Sequence, residues 1–249
     1  MDNGLKTGEL EPALPSAQDA PGQRLCRVQA RIAQALADAG RDVAAVRLLA
    51  VSKTFDAVAV RELAVCGQRA FGENYVQEAL DKQQALRDLA LEWHFIGPIQ
   101  SNKTRPIAEN FSWVHSLDRL KIAERLSAQR PAGLPPLQVC IELNVSGEAS
   151  KGGVSVAELP ALAAAVSALP RLQLRGLMAI PAPLADPAAQ RAAFRQVRQA
   201  FDALVARGHD LDTLSMGMSA DLEAAILEGA TIVRVGTALF GERITPDDS

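Results

Sequence analysis

The sequence predicts a single α/β domain, a closed (β/α)8 barrel with one extra helix ahead of it. Three observations carry this. First, eight short apolar runs alternate with seven stretches of helical periodicity. Strict alternation of this kind implies parallel strands joined by right-handed crossovers. Second, eight such units in about 200 residues fit the usual size of a barrel. Third, the sequence contains neither G-x-G-x-x-G nor G-x-x-x-x-G-K-[ST], one of which an open, doubly wound nucleotide-binding sheet would carry early in the chain.

Residues 1–22 are polar, contain Pro12, Pro15 and Pro21, and show no periodicity, so they read as a flexible tail ahead of a barrel domain at 23–245. Leu25, Val28, Ile32, Ala35 and Leu36 then recur at helical spacing, with Gly40 as a C-terminal stop. The apolar runs fall at 46–52, 70–73, 93–96, 113–115, 137–144, 172–178, 213–215 and 232–235. The helices between them fall at 56–66, 75–90, 101–109, 118–130, 155–168, 187–207 and 219–228. Asp118 and Ser219 are placed to cap two of these helices, and Gly67, Gly208 and Gly229 sit just past helix ends.

Composition narrows the function classes. Twenty-six basic against 29 acidic residues give a net charge of −3, without the basic excess of a nucleic-acid binder. No apolar run reaches the roughly 18 residues of a membrane span, and the first residues lack the pattern of a signal peptide. Cys26, Cys66 and Cys140 form neither C-x-x-C nor a zinc pattern, as expected for reduced thiols in a cytoplasmic protein.

Barrel active sites lie at the C-terminal ends of the strands. Here those ends carry Lys53 after the first run, Glu73, Asn74 and Tyr75 after the second, and Ser215-Met216-Gly217-Met218-Ser219 after the seventh. Arg234, Gly236 and Thr237 mark the eighth. Loops after the last two strands often bind phosphate. Gly217 and Gly236 would let backbone N–H groups approach an anion, Ser215, Ser219 and Thr237 would offer hydroxyls, and a helix starting near Ser219 would add its positive end. Each loop alone reads equally as ordinary turn and capping residues. Lys53, partly desolvated at a barrel mouth, would have an amine free to attack an aldehyde, although a lysine also ends many strands merely as a solubilising residue. Together the two features fit a phosphorylated aldehyde, and pyridoxal 5′-phosphate (PLP) has both handles. Arg234, if it points inward, would face the pyridine nitrogen and keep it unprotonated, because a guanidinium has no acceptor. The alternative is a surface arginine paired with Glu223 or Glu228. His94, His115 and Glu73 are weaker signals. His94 reads as a hydrogen-bonded core histidine or a base, and no histidine spacing makes a metal site. Met178, Met216 and Met218 would pack around a flat ring or fill the core.

Longer segments carry a resemblance. LLAVSKT (48–54), FGENYVQEAL (71–80), WHFIGPIQSNK (93–103), VHSLDRLKIAERL (114–126), IELNVSGEASKGG (141–153), LRGLMAIP (174–181), LSMGMSADLEAAI (214–226) and GATIVRVGTALFGER (229–243) resemble the YggS/PROSC family of pyridoxal phosphate homeostasis proteins. Pro98 and the Phe55-Asp56 pair depart from the family pattern. The resemblance implies a TIM-like barrel similar to the alanine racemase N-terminal domain, holding PLP as an aldimine on Lys53. It also implies phosphate contacts at Ser215, Ser219, Gly236 and Thr237 with Met216 and Met218 nearby, and Arg234 at the pyridine nitrogen. Asn74 and His94 would line the site. The implied role is to hold and supply PLP within vitamin B6 homeostasis, without efficient catalysis, with PLP-dependent apo-enzymes as partners and a monomeric state. An amino-acid racemase is the rival expectation. It needs a second base on the opposite substrate face, a tyrosine from a further domain in that family. This sequence has one tyrosine, Tyr75, and ends at Ser249, soon after the last run.

Overall fold

The eight expected strands all form in the computed structural model, which describes residues 20–146 and 152–241. They are β1 (Arg47–Val51), β2 (Ala70–Glu73), β3 (Glu92–Phe95), β4 (Trp113–Leu117), β5 (Leu137–Glu142), β6 (Leu172–Met178), β7 (Thr213–Ser215) and β8 (Ile232–Val235). Each pairs in parallel with the next, and β8 returns to β1, so the sheet closes into the expected barrel. The crossovers carry α2 (Ala57–Val65), α3 (Val76–Ala85), α4 (Thr104–Asn110), α5 (Leu120–Gln129), α6 (Leu159–Ser167), α7 (Pro187–Val205) and α8 (Leu222–Leu227). α1 (Pro21–Asp38) precedes the barrel, and a short α9 (Thr237–Phe240) follows β8.

α1 buries Leu25, Val28, Ile32, Ala35 and Leu36, the stripe read from the sequence. It starts at Pro21, inside the segment read as tail, because proline is well suited to a first helical position. The rest of that segment, residues 1–19, lies outside the described residues. Gly67, Gly208 and Gly229 take positive φ just past their helices, as expected.

Four helix starts differ from expectation. α4 begins at Thr104, because residues Ser101–Lys103 form a single 3-10 turn ahead of it. α5 begins at Leu120 with Arg119 as its cap residue, and Asp118 caps nothing. Residues 155–158 form a turn in which the Ser155 backbone N–H and hydroxyl donate to the Glu158 carboxylate at 3.0 and 2.6 Å. α6 then starts at Leu159, with Pro160 in its first turn, where the missing N–H costs least. α8 begins at Leu222, because Asp221 turns back to accept the Met218 N–H at 2.6 Å.

Strand alternation splits the buried residues into two sets. Outward side chains such as Ala50, Phe71, Phe95, Val114, Val139 and Val233 join the helices in one continuous core. Inward side chains fill the barrel itself: Leu49, Ala70 and Ile232 with Ile96 on one side, Trp113, Cys140 and Met178 on the other. Met178 is thus a core residue. Burial pushes the Cys140 thiol up to about 12. Between these apolar groups lies a polar set, His94, His115, Ser215 and Arg234, all buried.

Gly176 marks the closest approach of two strands. Its φ is +155°, and a Cβ there would collide with the Thr213 carbonyl oxygen of β7. Gly176→Ala is expected to destabilise the fold by about 3 kcal/mol through backbone displacement. The urea midpoint measures this, and a shift equivalent to less than about 1 kcal/mol would contradict it.

Candidate functional site

The turn after β1 is held from both flanks of Lys53. The Ser52 N–H donates to the Gly72 carbonyl at 3.0 Å, so the β1–β2 ladder runs one residue past the strand. Leu49 faces inward, which by alternation turns Ser52 outward. Lys53 is half-buried. On the outward side sits a buried ionic cluster. Lys82 of α3 donates through Nζ to the Ser52 carbonyl at 2.7 Å, to Glu73 Oε1 at 2.7 Å and to Glu78 Oε1 at 2.6 Å. Those three bonds use all its donors. The Ser52 hydroxyl adds a 2.6 Å bond to Glu73, and Glu78 accepts the Thr54 N–H at 2.6 Å. Thr54 has φ +69°, a strained value for a β-branched residue. The cluster therefore fixes the backbone before and after Lys53. Burial pushes the Glu73 carboxyl up despite Lys82 beside it.

The Phe55-Asp56 departure has a structural role. The Phe55 ring stacks on Phe240 of α9, with centroids 4.7 Å apart, which ties the lysine turn to the segment following β8. Asp56 caps α2 by accepting the Ala59 N–H at 2.9 Å.

Arg234 lies inside the barrel, not on its surface. It donates to the Ser215 hydroxyl at 2.9 Å, to the Ser215 carbonyl, and to the Ala179 carbonyl at 2.9 Å. Burial lowers its pKa to about 10, so it stays a cation at neutral pH. The surface partners considered for it are taken by others: Glu223 by Arg31, and Glu228 by Arg191 and Arg195.

The loop after β7 lies over β8, where Gly217 accepts the Arg234 N–H at 2.9 Å. Gly217 has φ +93°, and a Cβ on it would come 2.6 Å from the Ala225 Cβ, so only glycine fits. The loop is braced by Asp221 on Met218 N–H, and by Arg31 of α1, which donates to the Ser219 carbonyl at 2.9 Å. Ser219 and Gly236 are half-buried, and Met218 and Thr237 are exposed at the mouth.

Two residues expected here sit differently. Met216 points outward into the core between barrel and helices, so only its backbone belongs to the loop. Ser215 is buried, and its hydroxyl is engaged with His115 Nδ1 at 2.7 Å as well as with Arg234.

Asn74, following β2, has a buried Oδ1 with no hydrogen-bond partner among the described residues. Such an oxygen is costly unless something else pairs with it. The loop is pressed onto Gly97, where a Cβ would strike the Asn74 carbonyl. His94 is 1% exposed and bonded at both nitrogens, Nε2 to Glu92 at 2.6 Å and Nδ1 to His115 Nε2 at 2.8 Å. It reaches Arg234 through His115 and Ser215, not from the mouth. Burial holds the pKa values of His94 and His115 below the usual imidazole range, His115 well below it. Lys82, Glu92, Asp221 and Arg31 were not singled out from the sequence. Only Lys82 had a readable signal, its i,i+4 spacing from Glu78.

Two outcomes are expected. Lys82→Met leaves Glu73 buried without its cation and should cost about 3–5 kcal/mol, part of which the added Glu73→Gln change recovers. Chemical denaturation of the single and double variants checks this, and an unaltered midpoint in the single variant would contradict it. The second concerns pH. The folded pKa values of His94 and His115 lie below the unfolded value, so the unfolded chain binds more protons in acid. Stability is then full above about pH 6.5 and declines below it, by up to about 1.4 kcal/mol per pH unit for each histidine. His115→Gln, which cannot titrate, should show a shallower decline than the wild type. Equal slopes would contradict the neutral, buried state of His115.

The family described as alanine racemase, N-terminal domain, matches residues 25–244. The pyridoxal phosphate homeostasis protein of Pseudomonas aeruginosa is 66% identical over 221 residues, covering 89% of this chain and 95% of its own. That of Escherichia coli is 55% identical over 222 residues, covering 88% and 95%. Among solved structures, PipY of Synechococcus elongatus with PLP bound superposes with a TM-score of 0.78 at 38% identity, covering 89% of this chain and all of its own (100%). On these matches the chain belongs to the alanine racemase N-terminal domain family, and within it to the pyridoxal phosphate homeostasis proteins.

Proposed function

We propose that this protein binds PLP at the mouth of the barrel and serves PLP homeostasis in the cytoplasm, holding and supplying the cofactor without efficient turnover. The observation that carries the reading is the pairing of β1 with β8. Leu49 is the register partner of Arg234, and Lys53 follows in the turn just past the end of the neighbouring strand. A lysine at the mouth thus stands above a buried guanidinium on the adjoining strand. The homologous PipY structure with PLP bound supports the same reading.

The residues present fit the group. Lys53 would take the aldehyde through Nζ, and the loops at Gly217–Ser219 and Gly236–Thr237 would take the phosphate. Arg234 would donate to the ring nitrogen, and the unpartnered Asn74 Oδ1 would accept from the cofactor's polar edge. When bound, the cofactor supplies an electrophilic carbon and an electron-withdrawing ring. This chain's part is to orient both. The cluster around Lys82 fixes the lysine turn, and a guanidinium, which accepts no proton, keeps the ring nitrogen unprotonated and the ring a weak electron sink. Ser215 acts by holding Arg234 and not by touching phosphate. Transfer to PLP-dependent apo-enzymes by a monomeric carrier is the expected mode of use.

The family match also brings the racemase reading. Racemisation needs bases on both faces of the substrate. Tyr75 is 56% exposed and precedes α3, while His94 and His115 are buried and bonded to each other. These placements favour the carrier.

Borohydride reduction of PLP-loaded protein should fix the cofactor to Lys53, and Lys53→Ala should lose the visible absorption band. Incubation of loaded protein with L-alanine in deuterium oxide should give neither appreciable solvent exchange at the α-carbon nor D-alanine. A visible band retained in Lys53→Ala would overturn the attachment, and rapid exchange accompanied by D-alanine would overturn the carrier role.

A further inference from the structure

A single chain of hydrogen bonds crosses the barrel interior from its N-terminal rim to Arg234. Glu92, at the start of β3 and 35% exposed by its side chain, bonds to His94 Nε2 at 2.6 Å. His94 Nδ1 meets His115 Nε2 at 2.8 Å, His115 Nδ1 meets the Ser215 hydroxyl at 2.7 Å, and Ser215 meets Arg234 at 2.9 Å. We propose that Glu92, His94, His115 and Ser215 are positioning residues that lock the Arg234 guanidinium in the one orientation that presents a free N–H edge to the ring nitrogen of bound PLP. The proposal rests on the PLP reading above.

Donor and acceptor roles in the chain follow from its two ends. Arg234 can only donate, so Ser215 Oγ accepts from it. The Glu92 carboxylate can only accept, and its proton affinity is held down to about 2, first by the His94 bond. His94 Nε2 must therefore carry a hydrogen. Burial keeps the ring neutral, so its Nδ1 is an acceptor, filled by His115 Nε2–H. His115 Nδ1 is then an acceptor in turn, filled by the Ser215 hydroxyl. Every link has one donor and one acceptor, all pointing from Arg234 toward Glu92, and every tautomer is fixed.

The surroundings oppose any other arrangement. The Trp113 ring lies parallel to His94 at 5.5 Å, and Arg47, at the start of β1, donates to Glu92 at 2.8 Å. Arg234 itself senses Asp221, Glu142 and Cys140. Both imidazoles are excluded from water, so a flipped ring would break both its bonds and a cationic ring the bond it accepts, with no solvent to replace them.

The consequence for Arg234 is geometric. Bonds to Ser215 use both hydrogens of one terminal nitrogen, and the Ala179 carbonyl takes one hydrogen of the other. Among the bonds to described residues, the Nε–H and the remaining terminal N–H have no acceptor, and these are what a ring nitrogen would meet. If His115 stops accepting, the Ser215 hydroxyl is released to rotate, and the guanidinium loses one of its two anchors on Ser215.

The test uses the full-length protein loaded with PLP. The visible spectrum is followed across neutral pH and the release of PLP is timed, for wild type, His115→Phe and His115→Gln. The phenyl ring cuts the chain, whereas the amide can accept from Ser215 and donate to His94. The expected result is a pH-independent wild-type spectrum, and in His115→Phe a pH-dependent spectrum with release at least about tenfold faster. His115→Gln should return release to within about threefold of wild type. Glu92→Leu, at the half-exposed far end, repeats the cut should His115→Phe fail to fold. A folded cut variant with the wild-type pH profile and release rate would overturn the positioning role. So would nitrogen NMR of the PLP-free wild type showing His115 as a cation or with hydrogen on Nδ1. Failure of the wild type to take up PLP at all would instead overturn the reading of function, a separate and recognisable result.

Discussion

The ladder between β1 and β8, Arg47 to Ala50 against Ile232 to Val235, joins the first strand of the barrel to the last. It does more than remove two sheet edges. It brings a lysine from early in the chain, just past the end of β1, and an arginine from near the end of the chain, on β8, to adjoining parts of the sheet. The Phe55–Phe240 stack repeats that union above the ladder, and the Arg31 bonds to Ser219 and Glu223 repeat it outside, through α1. The mouth is held together by contacts that link the two halves of the sequence, so its shape depends on complete closure.

A closed barrel has little interior volume, and this one devotes part of it to polar groups. Arg234 and two histidines inside the sheet oppose the usual preference for branched apolar side chains in that space. The cost is limited because the two histidines and Ser215 are satisfied along one chain that reaches solvent through Glu92 and anchors Arg234 at its other end. The same economy appears outside the sheet, where Lys82 meets three acceptors at once. In both places a buried charge is tolerated because it fixes the backbone or the side chain that faces the mouth.

Much of this was legible in the sequence, and the physical reasons are specific. Strands announce themselves by apolar runs, and α1 by a stripe of period 3.6, so all eight strands and the first helix were readable. Lys53, Gly217 and Arg234 could be named as candidates as well, because strand ends in a barrel have a known address. Helix starts were not. Asp118 and Ser219 have the chemistry of caps, but Arg119 and Asp221 occupy those positions once tertiary contacts are made. The inner polar chain was also hidden. His94, His115 and Ser215 are far apart in sequence, and only the closure of the barrel shows that alternate positions on β3, β4 and β7 meet. Met216 was read with its neighbours, although alternation alone places it opposite to Ser215.

Cys140 bears on what such an interior can safely contain. It lies beside Trp113 and Met178, below the layer that holds Lys53, and burial keeps its thiol protonated far above neutral pH. The nucleophilic form of cysteine is the thiolate. A sulfur that stays protonated at neutral pH is a poor nucleophile toward carbonyl compounds, so it would not compete with the amine of Lys53 in the proposed site. The proposed storage of a reactive aldehyde would ask for this kind of selectivity, a vessel whose walls do not compete with the point of attachment.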